Sequence, residues 1–315
     1  MAKRINQSDP GTGTQYTQFS KRIINKDGSF NVRKIGLPFS TRNSYQFLIQ
    51  VGWFKFLGII FGYLLVVNAL FALVYLLSGP AHFGGITRGT VLHEYLQLYY
   101  FSFQTFTTVG YGAISPHGDL ANIIASFEAI YGWMSFAIIT GILYGRFSRP
   151  SARLSYSKHA IVAPYGENQT SLQFRIANMR NSNLMEMEAT VMLMTVERAE
   201  RGILKRRFMP LELERNQILF FPLNWTIVHP ITETSPLFGK SLDDLQAMDA
   251  EVLILIKGFD DTFSHTVHSR YSYKMDELKW GARFVSTFDT QPSGDIHLFF
   301  DKIHETEPAV LPAKN

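Results

Sequence analysis

The chain has 315 residues, of which 46% are hydrophobic and 18% charged, with a formal net charge of +4. This length predicts about two domains, and a mean hydropathy of only +0.01 indicates that a polar part dilutes an apolar one. The absence of cysteine excludes disulfides and thiolate metal sites. No Gly-rich nucleotide fingerprint and no nucleophile–base or metal-ligand spacing supports an enzyme. We therefore expect no enzyme activity, no cofactor and no nucleic-acid partner.

The first 54 residues are predicted to form two different segments. Residues 1–35 are rich in Gly, Ser, Thr, Gln and Asn, which predicts a disordered or extended tail. Residues 36–54 mix polar and aromatic side chains directly before an apolar segment, a pattern typical of an amphipathic helix in the headgroup layer. A simple polar leader is the alternative interpretation of this second segment.

Two apolar segments, 56–77 and 120–144, are long enough to cross about 30 Å of hydrocarbon. Between them, residues 94–106 are too short and too polar to span, which predicts a re-entrant helix enclosed by protein. Lys and Arg lie mainly before the first span and after the second, so both termini are expected in the cytoplasm. The pore domain is predicted over residues 55–147. Neither span is Arg-rich, which excludes a voltage sensor.

From Arg153 onward, short segments of alternating apolar and polar residues are separated by turn residues at roughly ten-residue spacing. This pattern predicts an all-β sandwich domain over residues 148–300, followed by a C-terminal tail over residues 301–315. One short helix is predicted over residues 241–248 because Ser241 can cap it with Asp244 at the third position. The predicted strands are residues 172–176, 187–196, 218–221, 224–228, 252–256 and 282–288.

The sequence Thr108-Val109-Gly110-Tyr111-Gly112 lies between the re-entrant helix and the second span. Its two glycines can adopt left-handed backbone angles, which aim successive carbonyl groups at one axis. Rings of such carbonyls replace the hydration shell of potassium, and this string is the one known from potassium filters. We predict that K⁺, as the permeant ligand, binds at Thr108, Val109, Gly110 and Tyr111. A simple Gly-containing turn is the alternative.

Together these features resemble the inward-rectifier potassium channel family, and in particular its prokaryotic branch. The resemblance covers about residues 33–285 and implies a homotetramer with a slide helix, two spans, a pore helix and an immunoglobulin-like cytoplasmic domain that extends the pore. Besides the filter, it rests on Arg146-Phe147-Ser148-Arg149-Pro150, Asn178-Met179-Arg180 leading to Glu186, Trp225-Thr226-Ile227-Val228-His229-Pro230, and Ser269-Arg270-Tyr271-Ser272-Tyr273 running to Trp280-Gly281.

The filter support differs from that of the animal members of the family. They carry a Glu–Arg salt bridge behind the filter, whereas Gln104 and Ile114 stand at the matching positions here. The filter must therefore be braced differently. We expect Gln104 and Glu128, the single acid inside a span, to support it, because an ionisable group inside a membrane is a functional candidate.

The resemblance places pore constrictions at Phe136 and Tyr144, with Thr140 on the same helical face between them. At 100° per residue, Glu128 lies about 120° from the centre of this face, which favours packing beside the pore helix. A bend at Gly132 would instead let Glu128 line the cavity. Rings of hydrophobic side chains can gate by dewetting, and helix–helix packing is the alternative role for both aromatic residues.

Basic residues are predicted to form a collar at the inner membrane face, where each contributes about 1 kcal/mol of attraction to anionic lipids such as phosphoinositides. Ordinary orientation by positive charge is the alternative explanation. The residues of this collar are Arg33, Lys34, Arg42, Arg146, Arg149 and Arg153.

Acidic residues are predicted along the cytoplasmic pore. Glu186 matches an acid of the family there, and Asp260 and Asp261 are weaker companions that could collect K⁺, or polyamines and Mg²⁺ as blockers. A solvated strand end is the alternative. His265 lies in the loop matching the one that narrows this pore and is a candidate pH sensor.

The leading interpretation is a passive, potassium-selective, inward-rectifier-type channel of a bacterial plasma membrane, gated by its cytoplasmic domain and by lipids. One alternative is a less selective cation channel, because the animal-type brace behind the filter is missing. Another is a membrane-anchored binding module whose sandwich domain senses a ligand, but it would leave the filter string and the re-entrant helix without a purpose.

Overall fold

The computed structural model describes residues 10–13, 15–16, 22–33, 35–36, 44–148, 152–198 and 203–312. Contacts divide the chain into two compact units. The membrane unit is Ile35–Arg149, and the β unit joins Met1–Lys34 to Pro150–Asn315. Three residues of the predicted basic collar, Lys34, Arg42 and Arg149, lie outside the described residues.

Helices dominate the membrane unit and strands dominate the β unit. The helices are α1 Ser44–Gln50, α2 Trp53–Ser78, α3 Val91–Phe106, α4 Asp119–Phe147 and α5 Leu242–Ala247. The strands are β1 Gln15–Tyr16, β2 Phe83–Gly84, β3 Ser115–Pro116, β4 Leu154–Tyr156, β5 Ala160–Tyr165, β6 Gln169–Asn178, β7 Leu184–Arg198, β8 Leu204–Pro210, β9 Gln217–Phe220, β10 Asn224–Ile231, β11 Glu251–Asp260, β12 His265–Lys274, β13 Leu278–Trp280, β14 Ala282–Phe284, β15 Phe288–Thr290, β16 Ile296–Leu298 and β17 Thr306–Pro308.

In the membrane unit, α2 and α4 are long and apolar enough to cross a membrane, as the sequence predicted. Helix α3 packs against both of them, and it begins where the Thr90 side chain accepts a hydrogen bond from the His93 amide. An apolar cluster of Ala72, Tyr75, Phe83, Leu98 and Phe101 fills the space between the three helices. Pairing of β2 with β3 joins the segment before α3 to the segment after the filter.

The β unit is the predicted sandwich. A six-stranded sheet has the order β1-β8-β7-β11-β12, with β9 also paired to β7, and a five-stranded sheet has the order β10-β6-β5-β13, with β4 also paired to β6. Strand β10 buries every second residue, which is the pattern of a strand with one face on a core. Phe174 and Ile176 of one sheet and Leu193 and Ile254 of the other belong to the same buried cluster.

The predicted C-terminal tail, residues 301–315, is part of the β unit as far as the structure describes it, so that prediction is wrong. Strand β17 pairs antiparallel with β14, and Ile303 is fully buried. The predicted strand 282–288 is divided into β14 and the start of β15. The chain turns between them, where buried Thr287 donates a hydrogen bond to the Asn224 side chain at 2.6 Å.

The predicted N-terminal tail is also wrong for residues 22–33, which fold against the six-stranded sheet. Ile23 and Ile24 are buried in a cluster with Met194, Phe208 and Leu253. Two backbone groups find partners on the sheet: the Ile23 amide donates to the buried Glu251 carboxylate at 3.1 Å, and the Ile24 carbonyl accepts from Ser272 at 2.9 Å. Two adjacent apolar residues are too few to produce a periodic signal in the sequence.

An acidic anchor at Glu277 holds this N-terminal segment. Its carboxylate forms ion pairs with Arg22 and Lys26. Burial by itself would raise the pKa of Glu277, but hydrogen bonds from Lys26 and from the Lys274 amide, with the charge of Arg22, lower it below its usual value. Because the folded pKa is lowered, this stabilisation is present above the ordinary Glu value of about 4.3 and is lost as the pH falls through the folded value.

We expect Glu277→Ala to loosen residues 22–33 without unfolding the sheet. Partly exposed ion pairs contribute up to about 1 kcal/mol each, so amide exchange of Ile23 should accelerate about 5–30-fold. Hydrogen exchange read by mass spectrometry measures this rate. Glu197→Ala is the matched control, because it removes an exposed pair with Arg207 elsewhere on the same sheet. Equal exchange in the two variants would contradict the anchor.

Candidate functional site

The backbone of residues 108–112 alternates in handedness. Thr108, Gly110 and Gly112 have φ angles of 60°, 55° and 78°, whereas the intervening Val109 and Tyr111 are not in the positive-φ region. An extended strand points successive carbonyls in opposite directions, and this alternation instead brings them toward one side, as a ring of carbonyl ligands requires. A non-glycine residue such as Thr108 at positive φ costs about 1–3 kcal/mol. Its neighbours must therefore hold it there.

The end of α3 supplies the hydrogen bonds that hold this backbone. The Gln104 carbonyl accepts from the amides of Val109 at 2.9 Å and Gly110 at 3.4 Å, and the Thr105 carbonyl accepts from Thr108 at 3.1 Å. The Gln104 side chain forms no hydrogen bond within the described part of the chain. Gln104 thus contacts the filter through its backbone. The C-terminal end of a helix also carries partial negative charge, which favours a cation beside it.

Ile114, at the position of the basic residue in animal members, packs against the apolar cluster of the membrane unit. Dispersion contacts thus hold this side chain. The loop beside it is tightly packed, since any Cβ on Gly85 would overlap the Ala113 carbonyl. The segment after the filter is therefore held by backbone fit and apolar packing.

Glu128 lies beside α3 and is fully buried. Its two carboxylate oxygens accept hydrogen bonds from Tyr75 of α2 and Ser102 of α3. Ser102 is also 3.1 Å from the side-chain oxygen of Asn68 on α2. We call these four residues the Glu128 node. The sequence favoured packing beside the pore helix over lining the cavity, and this is where the structure places the carboxylate.

Gly132 lies one turn after Glu128 and contacts the end of α3. A Cβ at Gly132 would overlap the carbonyl group of Phe106, the last residue of that helix. The glycine is needed here because two backbones approach closely. Helix α4 continues through it from Asp119 to Phe147 without interruption.

The three predicted gate residues, Phe136, Thr140 and Tyr144, are all exposed on the single chain. They share one face of α4, about 110° from the centre of its buried face at 100° per residue. That face is therefore available to other copies of the chain. The buried residues of α4 are Ala121, Ala125, Glu128, Gly132, Ser135 and Ile142.

Arg146 is bound within the membrane unit rather than presented to lipid, so its prediction as a lipid contact requires correction. Its guanidinium donates to the carbonyls of Leu48, Ile49 and Val51, the last two at 3.1 and 2.8 Å. The same group lies 4.6 Å from the centre of the Trp53 ring. Carbonyls at a helix end lack partners within the helix, so Arg146 caps α1. Of the remaining collar residues that the structure describes, Arg33 and Arg153 are exposed.

The predicted acids of the β unit have different environments. Glu186 is exposed, with φ 49°, at a bulge where β7 has one residue more than β11. Asp261 and His265 are also exposed. Asp260 is buried, and its carboxylate accepts from the amides of Thr262 and Phe263. It therefore stabilises the turn between β11 and β12 and is not available to cations, contrary to the prediction.

Tyr75 and Ser102 are two residues of this site that were not predicted from the sequence. Each is an ordinary residue in an aromatic or polar helical segment, and neither has a charge to distinguish it. The available signal was Glu128 itself, because a buried acid requires hydrogen-bond donors on the neighbouring helices. Arg146 was recognised only as a charge, since its partners are carbonyls almost a hundred residues earlier.

Comparisons with known proteins cover both units. The family "Ion channel" matches residues 59–149, and the family "Inward rectifier potassium channel C-terminal domain" matches residues 154–314. The inward rectifier potassium channel Kirbac3.1 of Paramagnetospirillum magnetotacticum is 35% identical over 286 residues, covering 90% of this chain and 95% of the relative. The ATP-sensitive inward rectifier potassium channel 12 of Mus musculus is 25% identical, covering 87% and 69%. The inward rectifier potassium channel 18 of Homo sapiens is 25% identical, covering 87% and 68%.

We expect Arg146→Ala to release the end of α1. Each hydrogen bond to a charged group contributes about 1.5–3 kcal/mol, so the helix should lose at least about 2 kcal/mol. Arg146→Lys should restore only part of this stability, because a single ammonium group cannot donate to several carbonyls in the way that the planar guanidinium does. A spin label at Gln46→Cys, in a chain without other cysteines, reports the mobility of α1. Arg153→Ala is the control and should leave it unchanged; an immobile label in Arg146→Ala would contradict the cap.

Proposed function

The chain belongs to the inward rectifier potassium channel family and is a membrane potassium channel, and from this premise we propose that it acts as a homotetramer in a bacterial plasma membrane. The main support for this proposal is the alternating backbone handedness of residues 108–112. One chain supplies only one set of carbonyls, whereas replacing the hydration shell of K⁺ requires rings of carbonyls contributed by several chains. On the single chain Val109 and Tyr111 are 54% and 79% exposed, which leaves room for neighbouring copies.

Passive conduction then follows from the residues around the filter. Carbonyls of Thr108, Val109, Gly110 and Tyr111 replace the water around K⁺, while hydrogen bonds from filter amides to the Gln104 carbonyl keep the backbone in place. The electrochemical gradient alone drives the ion. We assign both termini to the cytoplasm because Lys and Arg lie mainly before the first span and after the second.

The gate that we propose is formed by Phe136 and Tyr144, with Thr140 between them. Four copies of each aromatic side chain around one axis form two hydrophobic rings, and such rings block ions when water leaves them. The exposure of all three residues on one face of α4 supports this assignment. Movement of the β unit and binding of lipids would open or close these rings.

Anionic lipids, including phosphoinositides, are the proposed regulators, and the remaining basic collar is their contact. Exposed Arg33 and Arg153 support this assignment. Lys34, Arg42 and Arg149 complete the proposed collar without structural description. Arg146 is excluded from it because its guanidinium is bound to three carbonyls.

Exposed Glu186 and Asp261 are the proposed collectors of cytoplasmic cations, including Mg²⁺ and polyamines. His265 is exposed as well and stays a candidate pH sensor at the turn. Because these groups lie in the β unit, a blocker held there would cross little of the membrane field. We therefore propose weak rectification for this channel.

Rubidium uptake into liposomes of defined lipid composition tests the proposed function. Wild type should take up rubidium and exclude sodium, and Gly110→Ser should lose this selectivity because a Cβ opposes its left-handed backbone. Gly166→Ser is the matched control: Gly166 has φ 58° in the β unit, and like Gly110 it has open space around a Cβ. Selective uptake by Gly110→Ser would overturn the filter, and equal rubidium and sodium uptake in wild type would instead indicate a nonselective cation channel.

Spermine block tests the proposed pore face. Phe136 offers no formal charge to a polyamine, so block of wild type should depend weakly on voltage. Phe136→Asp should make it steeper, since each elementary charge moved through the field contributes about 2.3 kcal/mol per 100 mV. Planar-bilayer currents with cytoplasmic spermine measure this dependence. Phe136→Asn controls for the loss of the ring, and equal steepness in the Asn and Asp variants would show that position 136 does not face the pore.

A further inference from the structure

We propose that Glu128 is a positioning residue for conduction. Its carboxylate holds the pore helix α3 in the place where the carbonyls at the end of α3 accept hydrogen bonds from the filter backbone. This inference rests on the proposed function and concerns the same pore. Through the Glu128 node, one side chain of α4 connects to α2 and α3 simultaneously. The node thereby takes the place of a salt bridge behind the filter.

Burial of the node shows that it is an internal part of the membrane unit. Asn68, Tyr75, Ser102 and Glu128 are each 0% exposed within a single chain. An unpaired acid in such an environment is strongly unfavourable, and in the described residues Glu128 forms no ion pair. Its partners are two hydroxyl groups, so its position is determined by hydrogen bonds.

The path from the node to the filter is short. Ser102 precedes Gln104 by two residues, about 3 Å along a helix, and the Gln104 carbonyl accepts from the amides of Val109 and Gly110. A second contact lies one turn farther on, where Gly132 meets Phe106. Because a helix moves as a unit, a displacement of α3 at Ser102 is passed directly to the carbonyl that binds the filter.

The hydroxyl of Tyr75 is held in place by aromatic packing. Its ring makes edge-to-face contacts with Phe83 and Phe101, with centroids 5.1 and 5.3 Å apart. Such contacts fix the ring plane, and therefore the direction of the hydroxyl toward Glu128. Phe101 lies directly before Ser102 on α3. The ring contact of Tyr75 with Phe101 and the hydrogen bond of Glu128 with Ser102 therefore hold the same turn of the pore helix.

An alternative role for an acid in a span is to attract cations by its charge. The two roles differ in their response to substitution. Glu128→Gln removes the charge but keeps the shape, and both hydroxyl partners can accept as well as donate a hydrogen bond. A positioning residue therefore tolerates Gln, whereas an electrostatic role does not.

Rubidium-over-sodium uptake in liposomes measures the difference. Glu128→Gln should stay within about twofold of wild type, and Glu128→Ala should lose at least about tenfold in selectivity, since it removes the two hydrogen bonds to Tyr75 and Ser102. Ser135→Ala is the matched control: its hydroxyl contacts Tyr63 at 2.7 Å and joins α2 to α4 without reaching α3. It should leave selectivity unchanged.

Three results would overturn the proposal: full selectivity in Glu128→Ala, equal loss in Gln and Ala, or a loss in Ser135→Ala as large as in Glu128→Ala. Ser102→Ala keeps the proposal testable if Glu128→Ala does not assemble. Hydrogen exchange of the Val109 amide should accelerate in it by about tenfold, and unchanged exchange would also overturn the node. Absence of rubidium uptake in wild type would refute the proposed function instead, whereas the exchange measurement does not depend on conduction.

Discussion

The structure of the membrane unit depends on holding an irregular backbone segment at membrane depth. Residues 108–112 belong to no helix or sheet, and hydrocarbon offers no water to satisfy their polar groups. The amides of residues 108–110 donate hydrogen bonds to carbonyls at the end of α3, which holds the segment on one side. The position of α3 therefore determines whether the filter can keep its strained Thr108 backbone.

Helix α3 is short and cannot fix its own position. Its buried face meets α2 through the aromatic cluster and α4 through Glu128 and Gly132. These contacts combine close approach at a glycine with hydrogen bonds between buried polar groups. In a membrane, where apolar side chains gain little by leaving lipid for protein, small residues and interhelical hydrogen bonds are the main means of fixing helix positions.

The sequence was sufficient for features whose signal is local. The filter string, the length of both spans, the alternating strands and the Ser241–Asp244 capping box each occupy a few neighbouring residues. Features that join distant segments could not be predicted in this way. Ile23 and Ile24 are buried only because they pack against a sheet whose strands lie about two hundred residues later in the sequence. Asp260 cannot be distinguished from a surface acid in the sequence, because its partners are amides of the turn that it stabilises.

Basic residues near a membrane illustrate why position alone does not assign a role. Arg146 and Arg153 lie seven positions apart in the sequence and carry the same charge, yet one is bound to three carbonyls and an aromatic ring while the other is exposed. A guanidinium already committed to carbonyls has few of its five donors left for a lipid phosphate. Of these two arginines, then, one fixes the geometry of the helices and the other is exposed, and only their contacts distinguish them.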